Sequence, residues 1–226
     1  MKLGSHWRPT IPFPDRSVFL TGFGPFPGVL HNATAELVPR LAAAARERWP
    51  SLHVLAEVLP TEWRGAPARV VDVLKSHRPM LALHFGAAKE AQGFEIECKG
   101  RSRCRLAPDN AGVVPSVGRL FDEGADCHVS NLPVERIVAR LKGIGLPARA
   151  SEDAGGYVCN SLFYHSLRHV EAAGAGIQAG FVHVPACLSG AEFDGGVPPP
   201  TCPLTWEQAV GGALEIIDVV LNVARA

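Results

Sequence analysis

One cysteine in this chain stands where a nucleophile would be expected. Gly155-Gly156-Tyr157-Val158-Cys159-Asn160 runs directly into the amphipathic stretch Ser161-Leu162-Phe163-Tyr164-His165-Ser166-Leu167. The glycines indicate a flexible turn that places Cys159 in the first turn of a helix. Amides of a first turn are unpaired and the helix dipole is positive there, so the thiolate form is favoured. Most cysteines only pack in a core, but this setting singles out Cys159.

A histidine that could serve this cysteine lies 24 residues later. His183 is inside the short apolar run Gly180-Phe181-Val182-His183-Val184-Pro185, which is typical of a buried strand. A helix followed by a returning strand can bring Cys159 and His183 to the same edge of a sheet. The imidazole would take the thiol proton and later protonate a leaving amine, as in cysteine hydrolases.

A third group is expected to orient the imidazole, and four acidic residues are candidates. Glu95 and Glu97 lie two residues apart on a predicted strand, so both face the same side of the sheet. Asp109 and Asp153 lie in segments that we expect to be loops. The pattern of residues does not choose among the four.

The segment Gly22-Phe23-Gly24-Pro25-Phe26-Pro27-Gly28 follows a predicted strand and superficially resembles a dinucleotide-binding loop. Two prolines remove amides that a phosphate would need, and no helix is expected until after Asn32. Phe23 and Phe26 on this stiff loop are better suited to wall an apolar pocket for a small uncharged group.

Composition limits the classes of protein to which the chain can belong. Hydrophobic residues make up 47% of the 226 residues and charged residues 19%, which is typical of a globular protein. The formal net charge is zero, which argues against nucleic acid or an anionic membrane as a partner. No run of about 18 apolar residues predicts a membrane span.

We expect residues 1–16 to be a loose N-terminal leader without a secretory signal, and residues 17–226 to be a single domain. The six cysteines are dispersed and contain no CxxC pair, which predicts free thiols, a cytoplasmic location and no structural zinc site. His84 is predicted to be a core histidine, and the Pro-rich tract 197–203 an exposed loop or subunit contact.

Hydrophobic periodicity predicts alternating strands and helices along most of the chain. Such alternation indicates an α/β fold, a single-domain αβα sandwich with a mostly parallel twisted sheet and helices on both faces. The site is then expected beyond the carboxyl ends of the strands. Strands are predicted over residues 17–21, 52–59, 80–85, 93–101, 147–151 and 178–184, and helices over 33–49, 62–76, 132–144, from Cys159 onward and over 206–223, with 106–127 loop-like.

Taken together, these segments resemble the pyroglutamyl peptidase I family of cysteine peptidases, from about Phe19 to the last helix. Thr21-Gly22-Phe23-Gly24-Pro25-Phe26 is similar to the N-terminal loop of that family, with Asn32 at the usual distance, and Pro60-Thr61 matches its Pro-Thr pair. Two longer segments match its nucleophile and histidine motifs, namely Ala154-Gly155-Gly156-Tyr157-Val158-Cys159-Asn160 and Gly180-Phe181-Val182-His183-Val184-Pro185.

The resemblance implies an exopeptidase that removes N-terminal pyroglutamate from peptides through a thioester. It implies a triad of Cys159, His183 and Glu97, no cofactor or metal, a cytoplasmic location and a homo-oligomer, often a tetramer. The residues that it places around the pyrrolidone ring are Phe23, Phe26, Thr61, Tyr157 and Val158.

Three alternatives stay open from the sequence. The first is a thiol amidase that acts on another small cyclic or acyl amide. The second is a non-catalytic binding protein on the same scaffold, suggested by the unusual segment Gly86-Ala87-Ala88-Lys89-Glu90-Ala91. A nucleotide-binding oxidoreductase is a distant further alternative.

Overall fold

A computed structural model describes residues 16–26, 29, 31–121, 124–174, 176–189 and 202–223 of the chain. The expected N-terminal leader, apart from Arg16, lies outside these residues, as does most of the Pro-rich tract 197–203. Among the helices of the described part, none is both long and apolar enough to cross a membrane.

A six-stranded sheet forms the centre of the molecule. The described residues contain ten strands, of which four lie outside this sheet in two small two-stranded sheets. In chain order they are β1 (Ser17–Phe23), β2 (His53–Leu59), β3 (Leu81–Ala88), β4 (Phe94–Glu97), β5 (Lys99–Arg101), β6 (Cys127–Val129), β7 (Ala148–Ser151), β8 (Gln178–Pro185), β9 (Leu188–Ser189) and β10 (Leu204–Thr205). The order in the main sheet is β2-β1-β3-β8-β4-β7. Its neighbours are parallel except for β4 and β8, which are antiparallel. The prediction of a mostly parallel α/β sheet is confirmed.

Helices cover both faces of the sheet because its strands alternate their apolar side chains between two cores. On β1, Leu20 belongs to one hydrophobic cluster and Phe19 to the other. The helices are α1 (Ala33–Arg48), α2 (Gly65–His77), α3 (Val134–Gly143), α4 (Val158–Ala173) and α5 (Trp206–Val223). The first cluster includes residues of α1, α3 and α5, and the second includes residues of α2 and α4.

The prediction of one strand over 93–101 is wrong, because the chain leaves the main sheet at Cys98. β4 pairs with β7 and β8, whereas β5 pairs with β6 in a separate two-stranded sheet. At the bend, the Cys98 amide donates to the Ser151 carbonyl at 2.7 Å and the Cys98 carbonyl accepts from Ser130 at 2.8 Å. These hydrogen bonds to Ser151 and Ser130 satisfy the backbone of Cys98 in place of the strand pairing that a continuous strand would have.

The second helix begins at Gly65, three residues later than predicted. The amide of Trp63 donates to Asp109 Oδ2 at 2.8 Å, and the Thr61 carbonyl accepts from Asn110 at 3.0 Å. These long-range bonds hold residues 61–63 as a loop, which local periodicity does not reveal.

The prediction of free thiols throughout is also wrong, because Cys187 and Cys202 form a disulfide with Cα atoms 5.4 Å apart. The two cysteines are 15 residues apart in sequence. They meet because β9 and β10, which follow each of them closely, pair in parallel. The cysteines that remain free are Cys98, Cys104, Cys127 and Cys159.

Candidate active site

Cys159 is the second residue of α4, where the sequence predicts it. Gly155, in the turn before the helix, has φ = +81°, a conformation that glycine adopts without strain. Tyr157 at the N-cap has an extended backbone and makes no capping bond with its side chain. The first-turn amides are therefore left for another acceptor, and they surround a partly exposed thiol.

His183 on β8 joins Cys159 to Glu97. Its Nδ1 lies 2.7 Å from Glu97 Oε1, and its ring is close enough to Cys159 for that side chain to raise the pKa of the imidazole. His183 is 8% exposed and Glu97 only 1%, so the chain of three groups is largely shielded from water. These are the three residues that the resemblance implies as a triad.

Two opposing effects set the pKa of His183. Burial lowers it, but the hydrogen bonds to Cys159 and Glu97 and the negative charges of both groups outweigh burial and raise it to about 10. The imidazolium is therefore the form that this site favours at neutral pH. Because the pKa in the folded state is raised, the corresponding stabilisation is complete below 6.5 and is lost as pH rises through about 10.

The other acidic candidates have different partners. Glu95 is bound by Arg149, whose Nη2 lies 2.6 Å from its Oε1. Asp109 is buried and accepts the amides of Trp63, Ala111 and Val113, so it shapes a loop instead of orienting the imidazole.

Asp153 lies at the turn before α4 and does not take the place of Glu97. It forms an exposed ion pair with Arg103 at 2.8 Å and accepts the Gly155 amide at 3.1 Å. Only Glu97, among the four candidates, is hydrogen-bonded to His183.

A cavity of about 280 Å³ opens beside the Cys159–His183 pair. Four of the five residues expected around a substrate ring line it, namely Phe23, Phe26, Thr61 and Tyr157. Val158 does not: its side chain is fully buried in the hydrophobic cluster beneath α4. That Val158 surrounds the ring stays a prediction.

The walls of this cavity are tied together by a small set of contacts. Tyr157 donates from its hydroxyl to the Pro108 carbonyl at 2.8 Å, and its ring meets the Trp63 ring edge-on with centroids 5.1 Å apart. Thr61 Oγ1 and Asn32 Nδ2 both donate to the Gly24 carbonyl, at 3.3 and 3.2 Å. The loop that carries Phe23 and Phe26 is thus anchored to two other segments.

Two residues of the site escaped the sequence analysis. Asn160 is fully buried; its Oδ1 accepts the Arg101 amide and its Nδ2 donates to the carbonyls of Arg101 and Arg103. The segment held in this way lets the Arg105 amide donate to the Gly156 carbonyl at 2.7 Å, and Arg105 lines the cavity. The available signals were the asparagine directly after Cys159 and the arginine shortly before Pro108.

Glu95, Glu97 and His183 also form the one cluster of possible metal ligands within the described residues, with ligand atoms within 4.8 Å of one another. His183 Nδ1 and Glu97 Oε1 are already bonded to each other, and Arg149 holds Glu95. The second carboxylate oxygen of Glu97, Oε2, is buried and has no hydrogen-bond partner among the described residues. The absence of a metal from the mechanism stays a prediction.

His84 is a core histidine, as predicted. It is fully buried on β3, with Nδ1 2.8 Å from Thr21 Oγ1 and Nε2 3.0 Å from Ser166 Oγ. Burial lowers the pKa of His84 from 6.5 to about 3, so it is neutral.

A larger cavity, of about 490 Å³, lies on the other side of Trp63 and contains both a cysteine and a histidine. Its Cys104 thiol donates to the Val117 carbonyl at 3.5 Å, and burial raises the pKa of Cys104. Nδ1 of its His165 lies 2.7 Å from the Ser161 carbonyl. Neither group is arranged as a nucleophile or a base, so the smaller cavity is the better candidate site.

Comparisons with known proteins agree with this geometry. The pyroglutamyl peptidase family model matches residues 16–221. A pyrrolidone-carboxylate peptidase of Oceanobacillus iheyensis is 31% identical over 172 residues, which cover 76% of this chain and 84% of that protein. The corresponding protein of Gloeobacter violaceus is 36% identical over 170 residues, covering 74% and 80%.

Solved structures give the same answer for the fold. Pyroglutamyl peptidase I of Bacillus amyloliquefaciens superposes with a TM-score of 0.75 at 29% identity, covering 91% of this chain and 96% of that one. A mutant pyrrolidone carboxyl peptidase of Pyrococcus furiosus superposes with a TM-score of 0.77 at 27% identity, covering 92% and 99%. The family model spans nearly the whole chain and these relatives align over most of their length, so the chain belongs to the pyroglutamyl peptidase family.

Proposed function

We propose that this protein is a cysteine exopeptidase that removes N-terminal pyroglutamate from peptides, with Cys159 as nucleophile, His183 as acid and base, and Glu97 as the group that orients the imidazole. The observation that carries the proposal is that Cys159 and His183 line one cavity of residue size while Glu97 is hydrogen-bonded to the imidazole of His183. Membership of the pyroglutamyl peptidase family supports the same activity.

The walls of the cavity suit the lactam ring of pyroglutamate. Phe23, Phe26 and Tyr157 supply apolar surface for a ring without charge, and Thr61 adds a hydroxyl. The lactam nitrogen is neutral, so the ring fits against this apolar surface. The same cavity is also lined by the charged residues Glu95, Arg105 and Asp153.

The reaction follows from the positions of the side chains. The Cys159 thiolate attacks the pyroglutamyl carbonyl carbon, and the electron pair of the C=O bond moves to oxygen. First-turn amides of α4 stabilise that oxygen, each worth about 3 kcal/mol in comparable sites, and Arg105 adds positive charge at the cavity.

Collapse of this intermediate breaks the C–N bond. The His183 imidazolium donates its proton to the departing amine, which leaves the pyroglutamyl group on Cys159 as a thioester. The neutral imidazole then takes a proton from water, and the resulting hydroxide releases pyroglutamate and restores the thiolate. Glu97 keeps Nδ1 protonated and the ring oriented throughout.

The decisive experiment is hydrolysis of a fluorogenic pyroglutamyl amide by the wild type and by Cys159→Ser, under reducing conditions. Only the wild type should turn over, because serine is not ionised at neutral pH. Cys98→Ser, which changes another free and partly exposed cysteine, is the matched control and should stay active. Turnover by Cys159→Ser would refute the assignment, and hydrolysis of other amides but not the pyroglutamyl one would indicate a different thiol amidase.

The proposal includes a homo-oligomer, a tetramer by analogy with the family, and a cytoplasmic location. Exposed apolar side chains between β5 and β6 support self-association: Leu106 is 61% exposed, Val114 48% and Val117 47%. Light scattering of the purified protein measures the assembly directly. The Cys187–Cys202 disulfide is unusual for a reducing compartment, so the location needs its own test: cell fractionation should recover the protein in the cytoplasmic fraction.

A further inference from the structure

A second carboxylate, Glu95, lies on the same face of the sheet as His183 and Glu97. In the strand register, Glu95 is opposite His183 on β8 and opposite Arg149 on β7. Nε and Nη2 of Arg149 donate to Glu95 Oε1 at 3.0 and 2.6 Å. A charged row of Arg149, Glu95 and His183 therefore crosses three neighbouring strands, with Glu97 beside it.

Glu95 is close enough to the catalytic groups to act on them through its charge. Polar atoms of Glu95, Glu97 and His183 all lie within 4.8 Å of one another. Glu97 is 1% exposed, and its Oε2 has no hydrogen-bond partner among the described residues. In such a shielded place, an uncompensated second carboxylate repels the first and strengthens the hold of the imidazolium on its proton.

We propose that Glu95 and Arg149 are positioning residues that act through His183, with Arg149 cancelling the charge of Glu95 and thereby fixing the pH range over which the Cys159–His183 pair is active. This inference rests on the proposed peptidase function. The burial of the pair fits the role, because the Glu95 side chain is only 12% exposed whereas Arg149 reaches outward and is 65% exposed.

Few other charged or titratable groups surround His183. On β3 its neighbour is Gly86, and the neutral, buried His84 lies further along that strand. Groups from other described segments include Glu97 on β4, Cys159 on α4, and Cys98 after β4. Arg105 and Asp153 line the cavity beside His183, as does Glu95 itself. All of them except Glu95 are unchanged in the variants below, so differences among those variants report on Glu95 and Arg149.

The inference predicts shifts of opposite sign. Arg149→Met leaves the charge of Glu95 uncompensated, so the alkaline limb of the plot of kcat/KM against pH should move to higher pH by about half a unit. Glu95→Gln leaves the charge of Arg149, and the same limb should fall by about half a unit. The double variant removes both charges and should return the limb to the wild-type position.

The test is the pH profile of pyroglutamyl amide hydrolysis, accompanied by the pH profile of Cys159 alkylation by iodoacetamide. Arg140→Met is the matched control: Arg140 is also paired with a shielded carboxylate, Glu215, but on α3 and α5, and its loss should leave both profiles unmoved. Opposite shifts that cancel in the double variant would support the proposal.

Limbs that do not move, or that move in the same direction in both single variants, would overturn it and leave the ion pair a purely structural contact. The two profiles also separate this inference from the proposed function. A wild type that is alkylated but does not hydrolyse the pyroglutamyl amide refutes the substrate, and the alkylation profiles then decide the role of Glu95 and Arg149 by the same criterion.

Discussion

At Gly86, one added methyl group would press directly on the ring of His183. Gly86 on β3 is opposite His183 on β8, and both lie in the interior of the sheet. A Cβ at residue 86 would lie 2.8 Å from two atoms of the Phe181 ring and 2.9 Å from His183 Cδ2. Gly86→Ala therefore forces both rings to move.

The size of the displacement follows from these distances. Ordinary contact begins at 3.4 Å, so the Phe181 ring is 0.6 Å and the His183 ring 0.5 Å too close. A shift of that size lengthens the 2.7 Å bond between His183 Nδ1 and Glu97 and misaligns the imidazole with the thiol. Since a misplacement of about 1 Å can cost roughly 100-fold in rate, we expect kcat/KM to fall about 10- to 100-fold. Overpacking should also cost about 1–3 kcal/mol of stability.

The assay pairs steady-state hydrolysis of the pyroglutamyl amide with thermal unfolding. Gly211→Ala on α5 is the matched control, because a Cβ there has no neighbour within 4 Å, and it should leave kcat/KM unchanged while stabilising the helix by up to about 1 kcal/mol. If Gly86→Ala retained full kcat/KM, the reasoning that steric contact at residue 86 fixes the position of His183 would be refuted.

Two further predictions follow from the titratable groups. Glu97→Gln should lower kcat/KM by about 10²–10⁴-fold and move its alkaline limb down, because His183 loses the charge that helps to raise its pKa to about 10; a larger effect of Glu95→Gln on rate would contradict the choice of Glu97. Burial holds the pKa of His84 near 3, so as pH falls below 6.5 the unfolded chain binds a proton at this residue before the folded chain does. The free energy of unfolding should therefore fall as pH drops below 6.5, by up to about 1.4 kcal/mol per pH unit. Urea unfolding at neutral and acidic pH measures this loss, which should be smaller in His84→Gln; an equal loss in both proteins would rule out His84 as its source.

The reach of local sequence patterns is clearest at α4. The pattern of two glycines followed by Cys159 and an amphipathic run predicts that Cys159 lies in a first helical turn, and the structure has it there. The pattern of two on β4 likewise put Glu95 and Glu97 on one face. The register between β4 and β8 places Glu95 opposite His183, and only the hydrogen bond from His183 to Glu97 and the ion pair of Glu95 with Arg149 distinguish the two carboxylates.

Other features were out of reach because they depend on segments that are far apart in the chain. The break at Cys98, the late start of α2 and the Cys187–Cys202 disulfide all depend on contacts with distant backbone or on strand pairing. The same is true of Asn160, which is bonded to Arg101 and Arg103 across more than fifty residues of sequence and so holds the segment that leads to Arg105.

The sequence by itself determined the α/β class, the helix that carries Cys159, the strand that carries His183 and the family, because these follow from local periodicity and from motifs of contiguous residues. The tertiary structure alone decided which carboxylate is hydrogen-bonded to His183, that Val158 packs into the core, and that Arg149 is paired with Glu95. Hydrogen bonds and charge interactions act over a few ångströms, and only the folded chain determines which distant side chains come that close.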